Sequence, residues 1–416
     1  MSNTFSFQAL RRFPDLEADN LVAVDATDRL VLAEAGAAIE AAGAGRVVVV
    51  GDRYGAMTLG AIALLNAHDV RVHQDPITGE QALVHNAIRV GVAHEYRHLP
   101  LAPELFDGAT VVIGQLPKNL DALREIAQLA AAHADADVRV FLGGRVKHMT
   151  RSMNDPLGER FAEVRASLAH QKSRVLMASG PLQGGAGGEP GGTGYPLREH
   201  HVDIDLWVCA HGAAFAGTKL DVGTRFLLGF LDQMNPDANT AVDLGCGTGV
   251  IAAALARDRP ELRMLATDQS AAAVASAAAT LAANGLTERA QVLRDDAMST
   301  LPDASVELIL GCPDARGRGS HPEDLRRPRP GRGIVGNLPP VAVRVGVCRR
   351  LPRATHPPHA VGRRRGVIRD VGRVDDMGAV PSEHGRHARR DLQHDSPDHL
   401  PAGSVRSADR DGDARP

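Results

Sequence analysis

The chain has 416 residues, 44% of them hydrophobic, which is enough for two or three domains with apolar cores. Its net charge of -3 hides a division, since residues 1–310 carry -11 and residues 311–416 carry +8, so the acidic body excludes broad, non-specific nucleic-acid binding and leaves room only for local basic patches. No apolar run reaches about eighteen residues, the start lacks a secretory leader, and Cys209, Cys246, Cys312 and Cys348 have no paired spacing, so a soluble cytoplasmic protein with free thiols and no membrane partner is expected.

Residues 28–42 have an apolar-rich helical pattern, followed by the strand pattern Arg46-Val47-Val48-Val49-Val50 and the turn Gly51-Asp52-Arg53-Tyr54-Gly55. Helix patterns over 57–66, 80–90 and 119–133 alternate with strand patterns over 70–73, 109–113 and 138–142, the last strand expected in this half. Such alternation predicts an α/β fold. Residues 143–151 form a compact basic cluster within the acidic body. Arg145, Lys147, His148 and Arg151 are candidate RNA-contacting residues there, with Lys172 and Arg174 a little further along. A solvated loop after a strand gives the same pattern. Residues 180–196 are too rich in glycine for a regular element and read as a domain linker.

In the second half, Ala241-Val242-Asp243-Leu244 runs over Gly245, Gly247 and Gly249 into an alanine-rich helical pattern, which predicts strand, glycine loop and helix. Without Cβ atoms the loop turns tightly and approaches a ligand, and the helix behind it offers free N–H groups. A nucleotide-like cofactor is expected there. Val250 departs from the dinucleotide fingerprint, which wants glycine or alanine, and the Asp243 carboxylate suits a cationic amino-acid group better than a pyrophosphate. A second strand pattern ends in Asp268, where an acid typically binds ribose hydroxyls. A helix pattern over 271–284 and a strand running into Asp295-Asp296 follow.

The order of elements repeats at a spacing of 194 residues, 47–50 falling on 241–244 and 70–73 on 264–267. This predicts a duplicated Rossmann-like domain, although any two doubly wound domains share such an order. In the first copy Arg53 stands at the middle glycine position with Tyr54 beside it, so bulky side chains are expected to fill the cofactor space and leave that copy cofactor-free.

The glycine loop with Asp243 resembles class I S-adenosylmethionine-dependent methyltransferases. Phe215, Lys219, Asp221, Gly223 and Thr224, followed by a leucine-rich helix, are similar to the motif ahead of that loop in the ribosomal RNA small-subunit guanine-N2 methyltransferase family and its large-subunit relatives, with Ala216 in place of the usual serine. The resemblance covers roughly residues 10–310. It implies tandem Rossmann-like methyltransferase domains with an inactive first copy. It further implies S-adenosylmethionine held by Asp221, Gly223, Thr224, Asp243, Gly245, Gly247, Gly249, Asp268 and Asp296, a ribosomal RNA or ribosomal-subunit substrate, a monomer and no metal. Asp296 matches the adenine-binding acid better than Asp295 because it precedes alanine. A capped helix start at Asp221 or Thr224 is the plainer reading of that stretch, and both can hold.

The resemblance stops after residue 310. The family's Asn-Pro-Pro-Phe, which holds the acceptor amine, is replaced by Gly311-Cys312-Pro313-Asp314, so the catalytic residues are unknown. Beyond it there is no Phe, Tyr, Trp or Lys against 21 Arg and 13 Pro, too little to build a core, so a disordered Arg/Pro-rich tail is expected, either a basic RNA-binding segment or the product of a shifted reading frame. The predicted organisation is a degenerate first domain (1–178), a linker (179–200), an incomplete cofactor-binding second domain (201–310) and the tail (311–416). The expected activity is methyl transfer to the N2 amine of a guanine in ribosomal RNA, impaired by the missing acceptor motif. A small-molecule methyltransferase and a non-catalytic RNA- or ribosome-binding relic are the alternatives.

Overall fold

The computed structural model describes residues 5–182, 194–302 and 305–311. Residues 183–193 of the linker, Cys312, Pro313 and the rest of the tail lie outside the described residues, as do the expectations placed on them. The described part of the first half contains α1 (Ala26–Glu40), β1 (Val47–Val50), α2 (Ala56–Leu65), β2 (Val70–His73), α3 (Ile77–Val90), β3 (Tyr96–His98), α4 (Pro103–Phe106), β4 (Val111–Gln115), α5 (Leu120–His133), β5 (Arg139–Arg145), α6 (Asn154–Gly158), β6 (Phe161–Ala166) and β7 (Ser173–Pro181). The strands form one sheet in the order β3-β2-β1-β4-β5-β7-β6, parallel through β5 and antiparallel beyond it.

Parallel strands covered on both faces need apolar residues at every position, and all four valines of β1 are buried. Val47 and Val49 pack with α1 and α2, whereas Val48 and Val50 pack with Leu123 and Ile126 of α5. Helix α1 starts earlier than its apolar pattern because Asp25 and Asp28 form a reciprocal capping box. The expectation that residues 138–142 form the last strand is corrected by the β6–β7 hairpin. Its outer strand β6 is mostly exposed and carries Glu163 and Arg165, a protected edge whose charges mask the strand pattern.

The second half contains β8 (Leu197–His201) and β9 (Leu206–Ala210), an antiparallel ribbon, then α7 (Val222–Leu228), β10 (Thr240–Leu244), α8 (Val250–Asp258), β11 (Arg263–Asp268), α9 (Ala271–Ala283), β12 (Ala290–Arg294) and β13 (Leu308–Gly311). Its parallel sheet has the order β12-β11-β10-β13, the same as β3-β2-β1-β4. The backbone repeats in detail as well. Gly51, Arg53 and Gly55 have φ of 68, 42 and 89°, and Gly245, Gly247 and Gly249 have 72, 53 and 75°. Arg53 therefore holds, at the position equivalent to Gly247, a left-handed conformation that costs an L-residue about 1 kcal/mol or more.

Candidate functional site

The glycine loop lies where β10 hands over to α8. Gly245 and Cys246 donate their N–H groups to the Thr267 carbonyl at 2.8 and 3.0 Å, which folds the loop onto β11. Gly247 N–H donates to Asp268 Oδ2 at 3.1 Å, joining the loop to the acid that ends β11. The glycines are not equivalent. A Cβ on Gly249 would lie 2.8 Å from the Ala277 Cβ, so this residue lets α9 close on the loop. At Gly245 and Gly247 a Cβ would meet nothing within 4 Å, so there the left-handed backbone calls for glycine and its bare face looks onto open space.

Asp243 and Asp268 lie at the C-terminal ends of the adjacent strands β10 and β11 and Asp296 just beyond that of β12, a usual place for ligands in open parallel sheets. Asp243 is 2% exposed and its Oδ2 accepts one hydrogen bond, from Ala252 N–H at 3.1 Å. Burial, aided by the charge on Asp268, pushes its pKa up to about 7. No basic side chain among the described residues pairs with Asp243, so the site has an uncompensated buried carboxylate suited to a cationic group. Asp268 is also raised by burial, against the hydrogen bonds its carboxylate accepts from Ser270 and Gly247. Asp295 is buried and caps the next turn, accepting from Ser299 Oγ at 2.6 Å and Thr300 Oγ1 at 3.0 Å. Asp296 has no such engagement among the described residues and is raised by burial and by Asp295, so of the two it is the carboxyl available to a ligand.

Asp221, Gly223 and Thr224 form a helix cap. The Asp221 carboxylate accepts from Gly223 N–H at 2.8 Å and from the Thr224 hydroxyl, starting α7, which packs against α8. Among the described residues, no hydrogen bond links this cap to the glycine loop or to Asp243, Asp268 and Asp296.

In the first copy the corresponding groups are used internally. Asp52, in the place of Cys246, is fully enclosed and accepts from Met57 and Thr58 N–H groups at 2.9 and 2.6 Å, so the start of α2 is capped by the chain itself. Gln74 stands in the place of Asp268 and donates to the Gly79 carbonyl at 3.0 Å. Tyr54 reaches Asp15 with its hydroxyl, and the Arg12 guanidinium lies 4.8 Å from its ring, tying the loop to residues 12–15.

Of the basic cluster, Arg145 ends β5, Lys147 and His148 lie on the turn Val146–His148, and Arg151 opens the next turn; the last three are exposed. Sequence reading missed Lys118, although β4 and β5 are parallel neighbours whose following loops emerge side by side. Partial loss of water contact and the charges of Lys147, Lys118 and Arg145 lower the pKa of His148. Lys172 accepts a hydrogen bond from Val146 N–H through its carbonyl, holding the turn. Among the described residues, no cluster of three His, Cys, Asp or Glu could hold a metal, and no helix is long and apolar enough to cross a membrane.

Residues 1–181 match the family described as the RLMG N-terminal domain, and residues 205–321 match the methyltransferase small domain. The ribosomal RNA large subunit methyltransferase G of Streptomyces avermitilis is 33% identical over 325 residues, covering 75% of this chain and 81% of the relative. The chain belongs to the ribosomal RNA large subunit methyltransferase G family. The Streptomyces coelicolor member of that family is 34% identical, covering 75% of this chain and 82% of its own length. Among solved structures, a Thermus thermophilus 16S rRNA N2 methyltransferase in complex with AdoMet and guanosine matches with a TM-score of 0.51 at 16% identity, over 69% of this chain and 74% of that one. At that identity the likeness concerns the fold alone.

Proposed function

We propose that this methyltransferase G family member transfers a methyl group from S-adenosylmethionine to the exocyclic N2 amine of a guanine in large-subunit ribosomal RNA. One observation carries the reading. The bare left-handed glycines Gly245 and Gly247 open beside a buried carboxylate, Asp243, with which no basic side chain among the described residues pairs. In this reading Asp243 faces the cationic amino-acid end of the cofactor, Asp268 the ribose hydroxyls and Asp296 the adenine amine, while Asp221, Gly223 and Thr224 set the helix packed on α8. When bound, S-adenosylmethionine supplies a methyl group on a cationic sulfur. Bringing the guanine amine into line with it is chiefly a matter of orientation. Arg145, Lys147, His148 and Arg151, joined by Lys118, would contact RNA phosphates from residues 1–178, and residues 201–310 would hold the cofactor after the 179–200 linker. The enzyme is read as a cytoplasmic, metal-independent monomer.

A second reading, cofactor binding without turnover, is favoured by the replacement of Asn-Pro-Pro-Phe by Gly311-Cys312-Pro313-Asp314. Tritium transfer from labelled S-adenosylmethionine to ribosomal RNA and to assembled subunits, with nucleoside analysis, separates the two. N2-methylguanine is expected under the first reading, and calorimetric cofactor binding without transfer under the second.

A further inference from the structure

We propose that Asp75 is a positioning residue for the cofactor site, acting with Glu80 and Arg294, so that the first domain sets the two loops carrying Asp268 and Asp296. The inference rests on the reading of those two residues as cofactor acids. Pro76 and Ser270, equivalent residues of the two copies, form an antiparallel bridge. Around it Ile77 N–H donates to the Gln269 carbonyl at 2.9 Å and Ala271 N–H to the Asp75 carbonyl at 2.8 Å, again between equivalent positions. The backbone contact therefore has approximate two-fold symmetry, as in an isologous dimer.

The side chains break that symmetry. The Asp75 carboxylate accepts from Ser270 Oγ at 2.8 Å and from Ala272 N–H at 2.9 Å, capping α9 from the other domain. The reverse cap is missing among the described residues, because α3 has Pro76 at its cap position and no side-chain hydrogen bond at its start. Ser270 in turn donates its N–H to Asp268 Oδ1 at 2.9 Å, and Asp268 holds Gly247. The same first-domain turn governs the third acid. Arg294, two residues before Asp296, donates to Glu80 Oε1 at 2.7 Å and to the carbonyls of Gln74 and Asp75 at 2.8 and 2.9 Å. This ion pair is largely shielded, with side chains 22% and 26% exposed, and its guanidinium is satisfied by carbonyls as well as carboxylate. Residues 74–80 thus reach both acid loops, while they contribute no group of their own to the glycine loop among the described residues.

The test compares the full chain with Asp75→Ala, Asp75→Asn and Glu125→Gln by S-adenosylmethionine calorimetry and amide hydrogen exchange. Asp75→Ala is expected to raise the Kd at least about fivefold, a typical coupling between sites, and to speed exchange at Gly247, Ser270 and Ala272. Asp75→Asn, whose carbonyl oxygen still accepts from Ala272, is expected to restore most of the affinity. Glu125 anchors a different interdomain contact, bonding His211 Nδ1 at 2.6 Å and accepting from Gly212 N–H at 2.7 Å, so Glu125→Gln should lower stability yet leave Kd within about twofold. An unchanged Kd and unchanged exchange in Asp75→Ala overturn the proposal, as does an equal rise in Kd for Glu125→Gln, which reduces the effect to lost stability. If the parent chain itself does not bind S-adenosylmethionine, the cofactor reading fails and exchange alone decides. Protection lost at Gly247 and Ser270 then supports positioning, and protection retained overturns it. Should Asp75→Ala not fold, Ser270→Ala removes the hydroxyl that links Asp75 to the Asp268 loop and carries the same readouts.

Discussion

Gly247 and Arg53 share one backbone conformation and differ in what surrounds them. A side chain at Gly247 would be strained by its φ of 53° and would enter the open face of the loop, so Gly247→Arg is expected to abolish S-adenosylmethionine binding. Arg53→Ala should leave that affinity unchanged, because Asp52 and Gln74 still occupy the first copy's groups. Calorimetry on both variants checks this, and equal loss in the two would refute the asymmetry. Asp52 also gives a pH signature. Burial, with the charge on Asp28 adding to it, raises its pKa from 3.8 to about 7. The native state then holds a proton that the unfolded chain has released, so this group's contribution to stability falls as pH rises through that window and levels off above it. Asp52→Asn removes the titration. Relative to the parent, its melting temperature should rise between about pH 4 and about pH 7, whereas a constant difference would mean that Asp52 is ionised throughout. At this scale the left-handed turn at the three glycines and the position of Asp243 and Asp268 at strand ends were legible from spacing. The internal cap made by Asp52 was not, because an aspartate in a turn looks the same whether its carboxylate faces water or a helix start.

Among the elements, the loops after β4 and β5 bring the charge of Lys118 to bear on His148. If they face phosphates, Lys118→Glu and Lys147→Glu should each weaken RNA binding and lower the slope of log K against log salt by about 0.7–0.9. Filter binding at several salt concentrations measures this, and an unchanged slope would return the cluster to a solvated surface. The α/β alternation and the glycine loop with its helix could be read because each needs a local pattern, four valines or three spaced glycines. Strand β6 could not, since an edge strand with charged residues loses its alternation, and Lys118 was hidden because only strand pairing brings the two loops together.

Across the whole molecule, the 194-residue repeat was visible in the sequence and the contacts that join its halves were not. Bonds such as His211 Nδ1 to Glu125 Oε1 at 2.6 Å span 86 residues and leave no local trace. Gly212 is the tightest point of that contact. A Cβ there would lie 2.3 Å from the Asp121 carbonyl oxygen on α5, so Gly212→Ala should destabilise the protein by about 1–3 kcal/mol, measured by urea unfolding, and unaltered stability would mean that the halves adjust freely. The distance along the chain between Asp75 and the helix it caps has a further consequence, because Ala272 follows it by 197 residues. A ribosome delivers the chain from its N-terminus at about 5–20 residues per second, so the Asp75 turn exists some 10–40 s before α9 emerges. The later half is therefore made in the presence of a finished template, and the order of synthesis works in favour of the cofactor loops closing in one shape.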